Sequence, residues 1–212
     1  MATSPQALAQ RLTDFLAVSR SSAYLEMPSE LHTSISLKAW DQLKSKIGLG
    51  AGAKVLDVGC GCGHAMDMFG REGYDVTGLT CLPLEFDVVE KRHPGKVLLL
   101  DMHEIGTLER KWDLIWARHV VEHSPAPAFV LSEFRACLNP GGFLYLEVPG
   151  AETDSRHETN PDHKSVLGRR MWEALLAKTK FTLLPDGVTN VKFRTKLGMD
   201  EYYGWLVQKP AE

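Results

Sequence analysis

Cysteine and long apolar runs are scarce in this sequence. Its 212 residues include four cysteines and no C-x-x-C pair. That density is far below that of disulfide-stabilised secreted domains, which favours reduced thiols and a cytoplasmic location. No apolar run reaches the roughly 18 residues of a membrane span, and the N-terminus lacks the charged region and apolar block of a signal peptide. We therefore expect neither a membrane segment nor a signal peptide.

The sequence also lacks a large net charge and long runs of like charge. The net charge is −3, and no long run of one sign occurs. Because nucleic-acid-binding proteins usually show a basic face in their composition, no nucleic-acid partner is expected. Hydrophobic residues make up 44% of the chain, and the length suits a single domain over residues 1–212 with a full core. The sequence leaves the oligomeric state open.

What the sequence does contain is an apolar run followed by a glycine-rich turn and the start of a helix. Residues 55–58 are apolar apart from Asp57, residues 59–63 read G-C-G-C-G, and residues 65–69 begin a helical pattern. Glycines allow tight turns and the close approach of a ligand to the backbone, and the first N–H groups of a helix can face that ligand. A carboxylate such as Asp57 inside a strand is costly unless something pairs with it. The stretch therefore predicts a small-molecule cofactor site.

Apolar and amphipathic segments alternate on both sides of this turn. Such alternation predicts a parallel sheet with helices on both faces, an α/β fold. We expect a helical cover over residues 1–50, a cofactor-binding core over 51–150 and an acceptor-side part over 151–212. The predicted core strands are 54–58, 74–79, 97–100, 114–117 and 143–148, and the predicted helices are 5–19, 31–47, 65–72, 82–91, 127–137 and 169–179. An Asn-Pro-Gly-Gly turn is expected at 139–142, a loop at 151–162, and two or three antiparallel strands at 181–184, 188–195 and 202–208.

Four of these features together resemble the class I S-adenosylmethionine-dependent methyltransferases. They are the first motif at 55–63, Asp101 after the third strand, residues 113–115 with Glu122-His123 after the fourth, and residues 138–142 before the fifth. They occur in the family's order, and the chain is most similar to the small-molecule branch that includes ubiquinone-biosynthesis methyltransferases. The resemblance implies a Rossmann-like, doubly wound, seven-stranded, mostly parallel sheet whose last strand is antiparallel. It also implies S-adenosylmethionine as cofactor, S-adenosylhomocysteine as product and a small-molecule acceptor.

The resemblance also implies which residues contact the methyl donor. Asp57 anchors the glycine loop, Asp101 accepts from the adenine amino group and Met102 donates its N–H; a helix N-cap is the alternative role for Asp101. The full set that the resemblance implies is Asp57, Gly59, Cys60, Gly61, Gly63, Thr80, Cys81, Asp101, Met102, Arg118 and His119. The dinucleotide fingerprint G-x-G-x-x-G is not matched, which disfavours a nicotinamide cofactor.

The sequence departs from the family at two places. The acidic residue that usually binds both ribose hydroxyls is replaced by Thr80, which cannot chelate two hydroxyls. Glu85 or a backbone amide is the expected substitute. The Asn/Asp-Pro-Pro-aromatic motif of DNA amino-methyltransferases is absent after the fourth strand, where residues 116–119 read W-A-R-H, so base flipping is not predicted.

Residues 119–123 raise an alternative, because they read H-x-x-E-H. Two histidines four apart on a helix can hold zinc, so a zinc-dependent hydrolase using His119, Glu122 and His123 is one alternative function. Pro125 and Pro127 leave room for barely one helical turn, which argues against it. A non-catalytic nucleoside-binding module is the other alternative. For the methyltransferase site no metal is expected.

Two histidines are the candidate catalytic residues. His123 is expected near the acceptor, with a structural hydrogen-bonding role as the alternative. His163 lies in the polar loop after the fifth strand and is a candidate general base because its unperturbed pKa is near neutrality. A solvated loop histidine is its alternative. Tyr24, Tyr202 and Tyr203 can also reach the site, although packing in the core is the default for each.

Overall fold

A computed structural model describes residues 4–20 and 29–212 of the chain. The helices are α1 (Pro5–Arg20), α2 (Glu30–Ile47), α3 (His64–Arg71), α4 (Pro83–Arg92), α5 (Pro127–Cys137) and α6 (Arg169–Lys178). The strands are β1 (Lys54–Val58), β2 (Asp75–Thr80), β3 (Val97–Leu99), β4 (Trp112–Arg118), β5 (Leu138–Pro149), β6 (Thr182–Thr195) and β7 (Gly198–Gln208). Short 3₁₀ helices cover Met102–Thr107, Val121–His123 and His157–Thr159.

The strands form one seven-stranded sheet in the order β3-β2-β1-β4-β5-β7-β6. The first five strands run parallel, and β7 pairs antiparallel with both β5 and β6. This arrangement confirms the predicted fold class. The order of connection reverses between β1 and β4, and ligands of such sheets bind in the crevice outside the carboxyl ends of the strands at this point.

Helix α2 is part of the core on one face of the sheet. Its residue Trp40 is 1% exposed and meets Phe69 of α3 edge-on at 4.8 Å and Trp116 of β4 at 6.2 Å between ring centroids. Ser29 caps the helix by accepting from the N–H of His32, and Gly48 ends it in the left-handed conformation. The start of α2 is thereby fixed above the carboxyl ends of the central strands.

The predicted segments differ from the observed ones mainly at the turn of residues 139–142. That segment belongs to β5, whose pairing with β4 shifts register between Trp112 and Leu114. Gly141 takes a φ of +77° and donates its N–H to the carbonyl of Lys209. Turn residues therefore produce an irregular strand here, because the chain after β7 supplies partners for the backbone. The C-terminal part forms two strands, because the predicted segments 181–184 and 188–195 are joined in β6, which has an irregularity between Leu183 and Val188.

None of the helices in the described ranges combines the length and apolarity needed to cross a bilayer.

The burial of Trp40 predicts a large loss of stability on truncation. We expect Trp40→Ala to lower the free energy of unfolding by about 3–5 kcal/mol, because a fully buried ring is replaced by a cavity. Leu37→Ala on the same helix is the control, since Leu37 is 42% exposed; its cost should be about 0.5 kcal/mol or less. Urea denaturation followed by fluorescence or circular dichroism measures both. Equal costs would contradict the placement of α2 in the core.

Candidate active site

A cavity of about 510 Å³ lies at the carboxyl ends of β1, β2 and β4. The glycine loop forms its floor, and the start of α2, the loop after β5 and the β6–β7 hairpin form the opposite wall. Of the chain's eight histidines, seven line it. They are His32, His64, His103, His119, His123, His157 and His163.

The glycine loop is shaped by three left-handed residues. Gly59, Gly61 and Gly63 have φ values of +70°, +50° and +79°, which L-residues with side chains rarely adopt. A Cβ on Gly59 would lie 2.8 Å from Val120, whereas a Cβ on Gly61 would meet nothing within 4 Å. The N–H of Gly59 donates to the carbonyl of Leu79 at 2.8 Å and ties the loop to β2. Gly59 thus serves packing, and Gly61 leaves the backbone open to the cavity.

Asp57 is a buried carboxylate at the end of β1. It is 4% exposed, and its Oδ2 accepts no hydrogen bond from any described residue. Burial raises the pKa of Asp57 to about 7, although the charge of Arg118 opposes that shift. An unsatisfied buried oxygen is costly, so this position suits a cationic or donor group from a ligand.

Thr80 and Glu85 occupy the end of β2, where the family usually has an acidic residue. The Thr80 hydroxyl donates to Oε2 of Glu85 at 2.5 Å, and the N–H of Leu82 donates to the Thr80 oxygen at 3.1 Å. Glu85 is 8% exposed in the first turn of α4, and both side chains line the cavity. A carboxylate is therefore present at this corner, supplied five residues later in the sequence.

Asp101 lies at the end of the β3 segment, buried against the cavity. Its Oδ1 accepts from the backbone N–H of His103 at 2.8 Å and contacts the His103 Nδ1 at 2.5 Å. It caps the 3₁₀ helix that begins at Met102, so its N-cap role is confirmed. Asp101 and Met102 also line the cavity, and the structural role leaves the predicted adenine contact a proposal.

Arg118 and His119 form a charged cluster around the buried Glu147 at the ends of β4 and β5. Arg118 Nε donates to Glu147 Oε1 at 2.8 Å, and the Tyr145 hydroxyl donates to Oε2 at 2.7 Å. Burial raises the pKa of Glu147, but Arg118 and His119 outweigh burial and hold it at about 2. Burial lowers the pKa of His119, but Glu122 and Glu147 raise it to about 9. His119 is therefore cationic near neutral pH.

The H-x-x-E-H segment does not form a zinc-binding helix. Only Val121–His123 are helical, as one 3₁₀ turn, and His119 precedes it with a left-handed φ of 51°. The His119 ring lies between two carboxylates, with Nδ1 at 3.4 Å from Glu122 Oε1 and Nε2 at 3.3 Å from Glu147 Oε1. The two histidines therefore share no helix face, and the alternative built on that face is wrong.

His123 and His163, the candidate catalytic residues, come together on the acceptor side of the cavity. Their ring centroids are 4.9 Å apart. Nδ1 of His123 lies 3.1 Å from the carbonyl of Asp162, and Nδ1 of His163 lies 3.0 Å from the carbonyl of His157. His163 is half-buried, and burial lowers its pKa. The loop backbone thus holds the ring in place, and both its role as a general base and its alternative as a solvated loop histidine stay predictions.

Ten of the eleven predicted donor residues line the cavity. The exception is Gly63, whose Cβ position faces Val89 of α4 at 3.1 Å. Cys60 is buried, and burial raises the pKa of its thiol, so it is a neutral side chain beside the loop. Cys81 is exposed at the rim.

Sequence reasoning missed residues that only the tertiary fold brings in. His32 of α2 reaches Tyr202 of β7, with 2.9 Å between Nε2 and the hydroxyl; no local pattern marks a contact across 170 residues. Glu147 carried a usable signal, since it is a charged residue inside the apolar strand β5. Tyr202 lines the cavity and Tyr203 does not, while Tyr24 lies outside the described residues.

Comparisons with known proteins place the chain in a family. The family model described as a methyltransferase domain matches residues 30–185. The tRNA U34 carboxymethyltransferase of Methylococcus capsulatus is 33% identical over 142 residues, which are 63% of this chain and 43% of that protein. A ubiquinone biosynthesis O-methyltransferase of Histophilus somni is 34% identical over 105 residues, which are 44% of this chain and 43% of that protein. The chain thus spans less than half the length of these curated relatives.

Solved structures share the fold at low identity. The 1,6-didemethyltoxoflavin-N1-methyltransferase of Burkholderia thailandensis matches with a TM-score of 0.67 and 19% identity, covering 99% of this chain and 92% of that one. The [4+2]-cyclase SpnF matches with a TM-score of 0.69 and 14% identity, covering 100% and 98%. At such identities the likeness shows the fold alone. The family match spans more than half of the 212 residues, so the chain belongs to the methyltransferase-domain family, and its resemblance to class I S-adenosylmethionine-dependent methyltransferases is confirmed.

Proposed function

We propose that this chain transfers a methyl group from S-adenosylmethionine to a small, polar acceptor. The observation that carries the proposal is the buried Asp57 oxygen, which has no hydrogen-bond partner within residues 4–20 and 29–212, beside a glycine loop whose Gly61 leaves the backbone open to the cavity. A ligand with a cationic head would pair with Asp57, and the space at Gly61 lets it approach. The ammonium group of the donor's methionine part is such a head, so the residues present fit this cofactor.

The remaining donor contacts follow from the walls of the cavity. Asp57 would bind the ammonium group, and Asp101 would accept a hydrogen bond from the adenine amino group. The backbone N–H of Met102 would donate to a ring nitrogen of the adenine. When bound, S-adenosylmethionine supplies a methyl carbon made electrophilic by the positive sulfur. The protein then has to align acceptor and methyl group and exclude water, and alignment alone can supply up to roughly 7–11 kcal/mol of a barrier.

Glu85 is our candidate for the ribose hydroxyls. Binding two neighbouring hydroxyls requires two acceptor oxygens, which Thr80 alone does not have. The carboxylate of Glu85 supplies them at the same corner of the cavity, and the 2.5 Å bond from the Thr80 hydroxyl fixes its position. The departure from the family pattern at position 80 is then compensated by a residue on α4.

The acceptor would enter from the side of α2 and the loop after β5. His123 and His163 are the catalytic residues proposed there. Because a carbonyl oxygen can only accept, each Nδ1 that contacts a carbonyl carries the hydrogen, and each Nε2 keeps a lone pair. His32 and Tyr202 border the same space. A wall of imidazole and hydroxyl groups favours an acceptor with oxygen or nitrogen atoms near the methylated position.

The cavity size favours a small acceptor. A volume of about 510 Å³ must also hold the donor, and the net charge of −3 offers no excess of cations for a nucleic-acid backbone. Among the activities named for the relatives, O-methylation fits these features better than modification of a tRNA.

Calorimetry with S-adenosylmethionine and S-adenosylhomocysteine tests the proposal. We expect stoichiometric binding of both, followed by methyl transfer to some member of a panel of hydroxylated small molecules. Binding without turnover on any acceptor would favour a non-catalytic nucleoside-binding module. Absence of binding at millimolar ligand would sink the proposal.

Removing the charge of Glu85 should weaken donor binding. We expect Glu85→Gln to reduce the affinity for S-adenosylhomocysteine by roughly 10- to 150-fold, the equivalent of losing a charged hydrogen bond worth about 1.5–3 kcal/mol. Asp87→Asn is the matched control, because Asp87 is exposed on the same helix and should leave the affinity unchanged. Both variants are compared by calorimetry. Equal affinities of Glu85→Gln and the unmodified chain would show that the ribose is held elsewhere.

A further inference from the structure

Three potential metal ligands converge on the acceptor side of the cavity. Glu122, His123 and His163 each offer one ligand atom, and these atoms lie within 4.8 Å of one another. Glu122 and His123 come from the 3₁₀ turn after β4, and His163 comes from the loop after β5. Binding of the methyl donor does not require this arrangement, so it needs a separate explanation.

Both histidines are oriented as metal-binding histidines usually are. Each has its Nδ1 within 3.1 Å of a backbone carbonyl, that of Asp162 for His123 and that of His157 for His163. Such a bond fixes the tautomer with hydrogen on Nδ1 and presents the lone pair of Nε2 to an ion. The backbone of one loop, residues 157–163, thereby sets the orientation of both rings.

Glu122 supplies a second observation, independent of the orientation of the two histidines. It is 1% exposed, and neither of its carboxylate oxygens has a hydrogen-bond partner in residues 4–20 or 29–212. Its ion pair with His119 is long, with 3.4 Å between Glu122 Oε1 and Nδ1, and the same ring also lies 3.3 Å from Glu147. A buried carboxylate left in that state is costly, and a divalent cation is the ligand that would satisfy it.

We propose that Glu122, His123 and His163 bind a divalent transition-metal ion. One carboxylate with two imidazoles is a donor set that suits zinc, iron(II) and manganese(II). Ligand atoms around zinc at roughly 2.0–2.1 Å lie about 3.3 Å apart in a tetrahedron, so the three side chains close on the ion by small rotations. Three protein ligands leave at least one coordination position for a further ligand from the cavity.

The ion would bind and activate the methyl acceptor. This part of the inference rests on the proposed methyl transfer. An acceptor hydroxyl bound to the ion loses its proton more readily, and that proton passes to solvent. The oxygen lone pair then forms the new bond to the methyl carbon, while the carbon–sulfur bond breaks and its electron pair stays on sulfur. The substrate class is thus a hydroxylated compound whose reacting oxygen binds the metal, and the two histidines act as ligands rather than as a general base.

Metal titration of the tag-free chain tests the site directly. The protein is treated with a chelator, dialysed, and titrated with Co²⁺, Zn²⁺ and Mn²⁺ by calorimetry, with the visible spectrum of Co²⁺ as a second readout. We expect one ion per chain. Glu122→Gln, His123→Gln and His163→Gln should each lower the affinity by more than about tenfold, with unchanged circular dichroism to show that they fold.

Two further variants distinguish this site from other arrangements. His93→Gln removes the one histidine outside the cavity and should leave the affinity unchanged. His119→Gln should retain binding of one ion, because His119 is not among the three converging ligands. No stoichiometric binding of the three probe ions by the unmodified chain would overturn the inference. Binding that survives in His163→Gln would overturn it as well.

Donor binding separates this inference from the proposed function. S-adenosylhomocysteine should bind the chelator-treated chain as it binds the metal-loaded chain, because the donor contacts lie on the other side of the cavity. If the donor binds and no metal does, the metal site is refuted and the methyltransferase proposal stands. If metal binds and the donor does not, the site stands and the proposed function fails.

Discussion

The ion pair between the partly buried Arg118 and the buried Glu147 is the interaction on which the site depends. Glu147 is fully buried inside β5, and its carboxylate accepts from Arg118 of β4 and from Tyr145. Breaking such a pair typically costs about 3–5 kcal/mol, because one charge is left uncompensated. The pair joins the carboxyl ends of the two strands, and the N–H of His119 donates to the carbonyl of Glu147 at 2.9 Å. The sharp turn that aims the next residues at the cavity is fixed in this way.

The cavity on either side of this ion pair has different chemistry. On the β1–β2 side, Asp57 and Glu85 present carboxylates to a ligand that carries an ammonium group and hydroxyls. The other side carries five of the imidazoles, together with the buried carboxylates of Glu122, Asp162 and Asp200. Under the proposed function, the charged donor would occupy the first side and the acceptor the second, within one crevice.

The sequence predicted most where the signal was local. The predicted bounds of residues 54–58 and 127–137 agree with the observed ones. An apolar run followed by glycines defines the strand locally, and a proline followed by an amphipathic pattern defines the helix locally. The turn at 139–142 was misassigned because its backbone partners come from residue 209, far along the chain. The same reason hid the pairing of His32 with Tyr202. His163 was named from its loop, but its approach to His123 depends on two backbone carbonyls that no side-chain pattern encodes.

We propose that Asp57 and Glu85, the carboxylates at the β1–β2 end of the cavity, bind the methyl donor. A crystal structure with S-adenosylhomocysteine bound tests this claim most directly. We expect the ligand's ammonium group within hydrogen-bonding distance of Asp57, directly or through one water, and both ribose hydroxyls on the carboxylate of Glu85. A ligand seated elsewhere, with Asp57 still lacking a partner and Glu85 still bonded only within the protein, would contradict it.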